Sequence, residues 1–105
     1  MTNHAAVLTA LADPTRRAIV ERLARSPSAV GELAQELPVS RPAVSQHLKV
    51  LKSAGLVTDH AAGTRRVYSV DPVGVAVICD YFEQFWQQSL ARFHAVASQP
   101  IQEET

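Results

Sequence analysis

The chain has 105 residues, of which 47% are hydrophobic and 19% are charged, a composition typical of a globular protein and not of a disordered one. This length favours a single small domain with a modest core. The one cysteine excludes an intrachain disulfide and favours a reducing compartment. The N-terminus has no secretion pattern and no apolar run is long enough to span a membrane, so we expect a cytoplasmic protein without a membrane partner.

The formal net charge is zero, but the charges are unevenly distributed along the chain. Residues 37–66 hold five basic side chains and one acidic one, whereas the other segments hold five basic and nine acidic ones. Because a polyanion responds to the local field and not to the total charge, this segment is compatible with binding to nucleic acid.

Three helices are predicted in the first third of the chain. The first covers about 4–11, and the second covers about 14–25, with Asp13 as its N-cap and Pro14 in its first turn. Ser26 and Pro27 end the second helix, and residues 28–29 are predicted as a short bridging strand. A third helix is expected over 30–37.

A fourth helix of about fourteen residues is predicted within the segment VSRPAVSQHLKVLKSAGLVT, residues 39–58, which holds three basic residues and no acid. Ser40 suits the N-cap, Pro42 suits the first turn, and Gly55 suits the left-handed position that follows a helix. At about 100° per residue, the helix has an apolar stripe and a small, polar, basic stripe. The apolar stripe is Val44, Leu48 and Leu51, and the basic stripe is Arg41, Ser45, Lys49 and Lys52.

Two interpretations fit the basic stripe. A charged helix face is usually only solvated, but a helix with one buried and one basic face also suits the major groove of DNA. The third and fourth helices, joined by a turn of about three residues, match the helix-turn-helix pattern, which favours the second interpretation.

A β-hairpin is predicted directly after the fourth helix. The β-forming residues 56–58 and 67–70 flank the sequence AAGT, in which Gly63 is available for a turn. Arg65 and Arg66 follow the turn, where a wing would meet phosphates or the minor groove, although charges also keep an edge strand soluble. The predicted fold is mainly α with a small β-hairpin: a winged helix-turn-helix of about five helices and a two- or three-stranded antiparallel wing.

A long last helix is predicted over 73–97, after Asp71 and Pro72. It carries all three phenylalanines, the one tryptophan and one of the two tyrosines. So large an aromatic surface favours a subunit interface, the alternative being that the helix folds back on its own domain. Cys79, on the apolar side of this helix, is expected to be a buried small hydrophobe. The expected domain is 1–98, with a polar, disordered tail over 99–105.

Three segments together resemble the ArsR-type winged-helix transcriptional repressors: ADPTRRAIVERLA (12–24), VGELAQELPVSRPAVSQHLKVLKSAGLV (30–57) and GTRRVYSVDP (63–72). The resemblance implies a homodimer, built through the first and last helices, that binds a near-palindromic operator. The residues that the resemblance places at or near DNA are Ser40, Arg41, Ser45, Gln46, His47, Lys49, Arg65 and Arg66. The residues expected at the dimer interface are Leu8, Leu11, Ile78, Phe82, Phe85, Trp86 and Phe93.

Chemistry distinguishes these DNA-facing residues from one another. Gln46 can pair with adenine through two hydrogen bonds, and Arg41 can read guanine or hold a phosphate. Ser45 is a natural phosphate ligand, and Lys49 and Lys52 lie farther along the helix, where they are expected to touch the DNA backbone. His47 remains open between a half-buried packing role and a DNA contact.

Metal-sensing members of this family carry motifs that the chain lacks. Glu32 and Leu33 are not followed by the paired cysteines of one sensor type, and Asp80 is not followed by the histidine of another. The four histidines are scattered over different segments, so no metal and no cofactor are expected. The closest resemblance is to members without a metal site; an unknown small-molecule inducer is compatible with the sequence.

The sequence is less compatible with two other functional classes. A winged helix can serve as a protein–protein module, in which case the basic residues would be dispensable for DNA binding. An enzyme is not expected, because the sequence has no catalytic triad spacing, no glycine-rich phosphate loop and no paired carboxylates in an apolar setting. The sequence thus favours a sequence-specific DNA-binding repressor.

Overall fold

The computed structural model describes residues 2–97, so the tail predicted over 99–105 lies outside the described residues. The elements in chain order are α1 (His4–Leu11), α2 (Pro14–Arg25), β1 (Ser28–Ala29), α3 (Val30–Glu36), α4 (Arg41–Ser53), β2 (Val57–Ala62), β3 (Arg65–Val70) and α5 (Pro72–Ala97). This is the predicted winged helix-turn-helix, in its three-stranded form. Within residues 2–97 no helix is long and apolar enough to cross a membrane.

Side-chain caps fix where the helices begin. Asp13 Oδ2 accepts the backbone N–H of Arg16 at 2.9 Å, and Ser40 Oγ accepts that of Ala43 at 3.3 Å, which confirms both predicted N-caps. Asn3 caps α1 in the same way, a signal that the sequence analysis missed. The bounds of α1, α2 and β1 are those predicted, and α3 ends one residue earlier than expected.

The core lies among the first four helices and the start of the sheet. Val44, Leu48 and Leu51 are buried, which confirms the predicted apolar stripe of α4. The other large side chains that are almost fully buried are Val7, Ile19, Leu33, Leu56 and Val57. The buried stripe therefore fixes the rotation of α4, and its other face is left to solvent.

The three strands form an antiparallel sheet in the order β1-β3-β2. Its hairpin is longer than predicted: the pairing runs from Val57↔Val70 to Ala62↔Arg65, so only Gly63 and Thr64 form the turn. The predicted segments 56–58 and 67–70 left both alanines of AAGT outside the strands, but Ala61 and Ala62 pair with β3 although alanine is a poor β-former. β3 is the middle strand, although Arg65 and Arg66 extend beyond the two-residue β1 and pair only with β2.

The first part of α5 packs on the domain where α4 ends. Gly55 has a φ of 83°, the left-handed conformation predicted for the residue after α4. Gly74 is buried against the carbonyl group of Gly55, and a Cβ at Gly74 would collide with it. Farther along, the rings of Tyr81 and His4 stack with their centroids 4.2 Å apart, which joins α5 to α1.

Beyond Tyr81, α5 leaves the domain. Phe82, Phe85, Trp86 and Phe93 are 52%, 57%, 59% and 65% exposed. The alternative in which this helix folds back on its own domain therefore holds only for its first part, where Val77 and Ile78 pack against the core.

The expectation that Cys79 is buried is wrong for the single chain, in which this side chain is exposed. The neighbouring residue Ile78 takes the position that faces the core. On a helix that is leaving the core, a rotation of about 100° from one residue to the next is enough to move a side chain into solvent.

Candidate nucleic-acid interface

The exposed face of α4 carries the polar and basic side chains that the sequence analysis placed near DNA. Ser40, Arg41, Ser45, Gln46, Lys49 and Lys52 are all exposed. Because Val44, Leu48 and Leu51 are buried in the core, these side chains lie on the part of α4 that is open to solvent. α4 thus offers one continuous hydrogen-bonding surface, from its capped N-terminus to its last turn.

The N-terminal end of this surface meets α3. The Arg41 guanidinium lies over Gly31, within 3.6 Å of the point where a Cβ on Gly31 would be. A cleft of about 410 Å³ opens between this point and the wing. Its polar lining residues include Glu32, Gln35, Arg41, Thr64, Arg65 and Arg66. Three arginines from two distant parts of the chain thus border one opening.

A buried carboxylate links the other end of α4 to the wing. Asp59, on β2, has a side chain only 6% exposed, and it accepts from Lys52 Nζ at 2.7 Å and from Arg66 at 2.9 Å. The hydrogen bond from Lys52, followed by that from Arg66, holds the pKa of Asp59 below its usual value despite its burial. A buried carboxylate with a lowered pKa stays charged at neutral pH, so it keeps both cations in place.

Arg65 has a different partner from its neighbour. Its guanidinium pairs with the carboxylate of Glu32 on α3, and both side chains are about half exposed. Glu32 also accepts the backbone N–H of Ala29 at 3.2 Å, at the start of α3. The wing is therefore joined to α3 through the Arg65–Glu32 pair and to α4 through the Asp59–Lys52 pair.

His47 lies on the boundary between the core and the exposed face of α4. Its side chain is 23% exposed, and Nδ1 lies 4.0 Å from Oδ2 of Asp13, the N-cap of α2. Asp13 also accepts a hydrogen bond from the backbone N–H of Arg16, and this bond, ahead of the nearby His47, is the main cause that lowers the pKa of Asp13. A packing role against α2 accounts for the position of His47; the DNA contact stays a prediction.

The residues predicted at a dimer interface divide into two groups. Leu8, Leu11 and Ile78 are half-buried, and the last two pack against the chain's own core. The four aromatic side chains of α5 from Phe82 onward are exposed. Within the described part of the chain, no three His, Cys, Asp or Glu side chains come close enough to hold a metal ion.

Glu32 and Asp59 are the members of this surface that the sequence analysis did not assign. Asp59 is the one acidic residue of segment 37–66, which holds five basic residues. Its position alone therefore indicates an ion pair, because several cations lie nearby in the sequence. Glu32 carries no comparable signal, since its arginine partner lies 33 residues away along the chain.

The fold and this surface define a winged helix-turn-helix protein of the DNA-binding class. The model of the family described as "Bacterial regulatory protein, arsR family" matches residues 13–59. The chain is 66% identical to the HTH-type transcriptional regulator Rv2034 of Mycobacterium tuberculosis over 84 residues, 80% of this chain and 78% of that protein. It is 37% identical to the transcriptional repressor SdpR of Bacillus subtilis over 65 residues, 62% of this chain and 72% of that protein.

A solved structure shows the same fold. The homodimeric winged helix-turn-helix DNA-binding domain of a possible ArsR-family transcriptional regulator from Mycobacterium bovis has a TM-score of 0.63 and 27% identity to this chain. The match covers 96% of this chain and 85% of that one. The chain belongs to the arsR family of bacterial regulatory proteins and is a transcriptional regulator.

Proposed function

We propose that this protein is a homodimeric repressor that acts in the cytoplasm and binds a near-palindromic operator through α4 and the wing. The observation that carries the proposal is the division of α4 into a buried stripe and an exposed polar, basic face beside a hairpin with two arginines. A helix of this kind fits the major groove, and a basic hairpin next to it reaches the neighbouring phosphates.

In this proposal the first half of α4 reads the bases. Gln46 donates and accepts at adenine, and Arg41 reads guanine or binds a phosphate at the edge of the cleft. Ser45 and Ser40 hold the helix on the sugar–phosphate backbone, which sets the register of the two reading side chains.

The basic residues around these two side chains neutralise the phosphates of the DNA backbone. Lys49, on the exposed face of α4, and the wing residues Arg65 and Arg66 bind phosphates. Lys52 approaches the backbone while it stays paired with Asp59. This arrangement gives sequence-independent affinity, and the bases give specificity.

The homodimer is supported by the exposed aromatic residues of α5. Several large aromatic side chains exposed on one side of a helix are characteristic of an association surface. The proposal pairs Phe82, Phe85, Trp86 and Phe93 with a second copy, and adds Leu8, Leu11 and Ile78 at the edge. The homodimeric state of the Mycobacterium bovis domain agrees with it.

Repression is proposed because SdpR, a relative at 37% identity, is a transcriptional repressor. The experiment is a reporter gene behind the DNA upstream of this protein's own gene, with protein supplied from an inducible plasmid. The proposal expects reporter output to fall as the protein accumulates, and expects Gln46→Ala to restore it. An increase in output would show an activator instead.

A further inference from the structure

The two adjacent arginines of the wing are held by carboxylates in contrasting environments. Arg66 donates to Asp59, whose side chain is 6% exposed and which also binds Lys52. Arg65 pairs with Glu32, where the exposed fractions of the two side chains are 57% and 46%. The two pairs therefore differ in how easily they can open.

Exposure decides the cost of opening each pair. Asp59 is held by two cations at once and is covered in that arrangement, so releasing its partners breaks two charge-assisted contacts, and Asp59 keeps them. A half-exposed carboxylate is rehydrated as soon as its partner leaves, and exposed ion pairs contribute little to stability. Arg65 is therefore the wing cation that can change partner at low cost.

The position of Glu32 is fixed independently of Arg65. Its carboxylate accepts the N–H of Ala29 at 3.2 Å, which closes the first turn of α3. Glu32 also lines the cleft that Arg41 and both wing arginines border. A phosphate that entered this cleft would meet the carboxylate directly, and the two anions would compete for Arg65.

We propose that Glu32 is an internal competitor of DNA: it holds Arg65 in the free protein, and a backbone phosphate replaces it on Arg65 when the wing binds. Arg66 remains on Asp59 and binds with its other N–H groups. This inference rests on the proposed function, because it requires DNA at the cleft. It assigns to Glu32 the effect of lowering affinity for every DNA sequence alike.

The test uses Glu32→Gln in the full chain. The glutamine amide oxygen can still accept the N–H of Ala29, so the start of α3 is kept while the charge is removed. The expected result is binding about two- to fivefold tighter to fluorescein-labelled DNA from upstream of the protein's own gene, and to a duplex of unrelated sequence. Fluorescence anisotropy measures both affinities.

The matched control is Glu36→Gln. Glu36 lies on the same helix and pairs with Arg22 of α2, but neither residue lines the cleft. Its replacement removes one negative charge and one ion pair from α3 without freeing a wing arginine. The expected change in DNA affinity is below about twofold. An equal gain from Glu36→Gln would overturn the inference, since net charge alone would then explain it.

Arg65→Gln separates competition for Arg65 from simple repulsion between Glu32 and DNA. If Glu32 acts by holding Arg65, adding Glu32→Gln to Arg65→Gln yields no further gain in affinity. A gain of full size in that background overturns the inference, and so does weaker binding by Glu32→Gln alone, which would make Glu32 a support for Arg65. Thermal unfolding by circular dichroism confirms that each variant folds. Failure of the unaltered protein to bind either duplex would instead overturn the proposed function itself.

Discussion

Lys52 and Asp59 join the two parts of the structure proposed to meet DNA: Nζ of Lys52, in the last turn of α4, lies 2.7 Å from Oδ1 of Asp59 on the wing. The second carboxylate oxygen accepts from Arg66 of the neighbouring strand. One buried charge therefore sets the position of a helix cation and a wing cation relative to each other. Removing that charge should disturb both elements at once.

Replacing Asp59 by Asn should lower the free energy of unfolding by about 1–2 kcal/mol at neutral pH, because two hydrogen bonds from cations to a carboxylate are weakened. Urea unfolding followed by circular dichroism measures it. Asp80→Asn, at an exposed position of α5, is the control and should change stability little.

The effect of Asp59 should depend on pH in a defined direction. Its pKa in the folded chain lies below its usual 3.8, so its contribution is complete above that value and is lost as the pH falls through the folded pKa. The difference in stability between the unaltered protein and Asp59→Asn should therefore shrink below about pH 4. A difference that stayed constant down to about pH 2 would contradict this role of Asp59.

Replacing Gln46 by Ala should relax specificity at one operator position in each half-site. The expected cost is about 1–3 kcal/mol on the preferred operator and much less on operators altered at that position. Anisotropy titrations against single-base operator variants measure the change. Gln84→Ala, on the exposed part of α5, should leave specificity intact. A uniform loss over all variants would assign Gln46 to the backbone instead.

Replacing Arg66 by Gln should weaken binding to all sequences alike and reduce the slope of log K against log salt by about one for each phosphate that Arg66 neutralises. Anisotropy titrations at several salt concentrations measure both effects. Arg92→Gln is the control, since Arg92 is an exposed arginine of α5, away from the wing. If Arg66→Gln changed the preference between operators and left the slope unaltered, Arg66 would be a reader of bases.

Much of this architecture was predictable because its signals are local. The caps Asp13 and Ser40, the stripe of α4 and the left-handed Gly55 each depend on side chains a few residues apart, so the helix bounds and the rotation of α4 followed from the sequence. The ion pairs were not predictable in the same way. Glu32 and Arg65 meet only because β3 lies beside β1 at the start of α3, a relationship that periodicity does not contain.

The environment of Cys79 shows the other limit of sequence reasoning. An apolar stripe along α5 predicts a buried face but does not say which partner buries it. The domain covers this helix only as far as Tyr81, which stacks on His4, and Phe82, Phe85, Trp86 and Phe93 are exposed in the single chain.

Replacing Trp86 by Lys should convert the proposed homodimer into monomers, because a charge placed among apolar side chains at an interface loses its hydration. Sedimentation velocity measures the change. Gln87→Lys introduces the same charge one residue farther, about 100° around the helix, and should leave the dimer intact. A Trp86→Lys variant with the sedimentation coefficient of the unaltered protein would contradict the proposed interface.

The most direct test of the proposed DNA-binding surface is the salt dependence of binding. The DNA upstream of the protein's own gene is titrated at several salt concentrations, with and without a chelator, and followed by fluorescence anisotropy. If each protomer neutralises about three to five phosphates through α4 and the wing, log K should fall with log salt with a slope of about −5 to −9 per dimer, unchanged by the chelator. A flat response to salt would contradict the proposed function, because binding would then not depend on the basic surface of α4 and the wing.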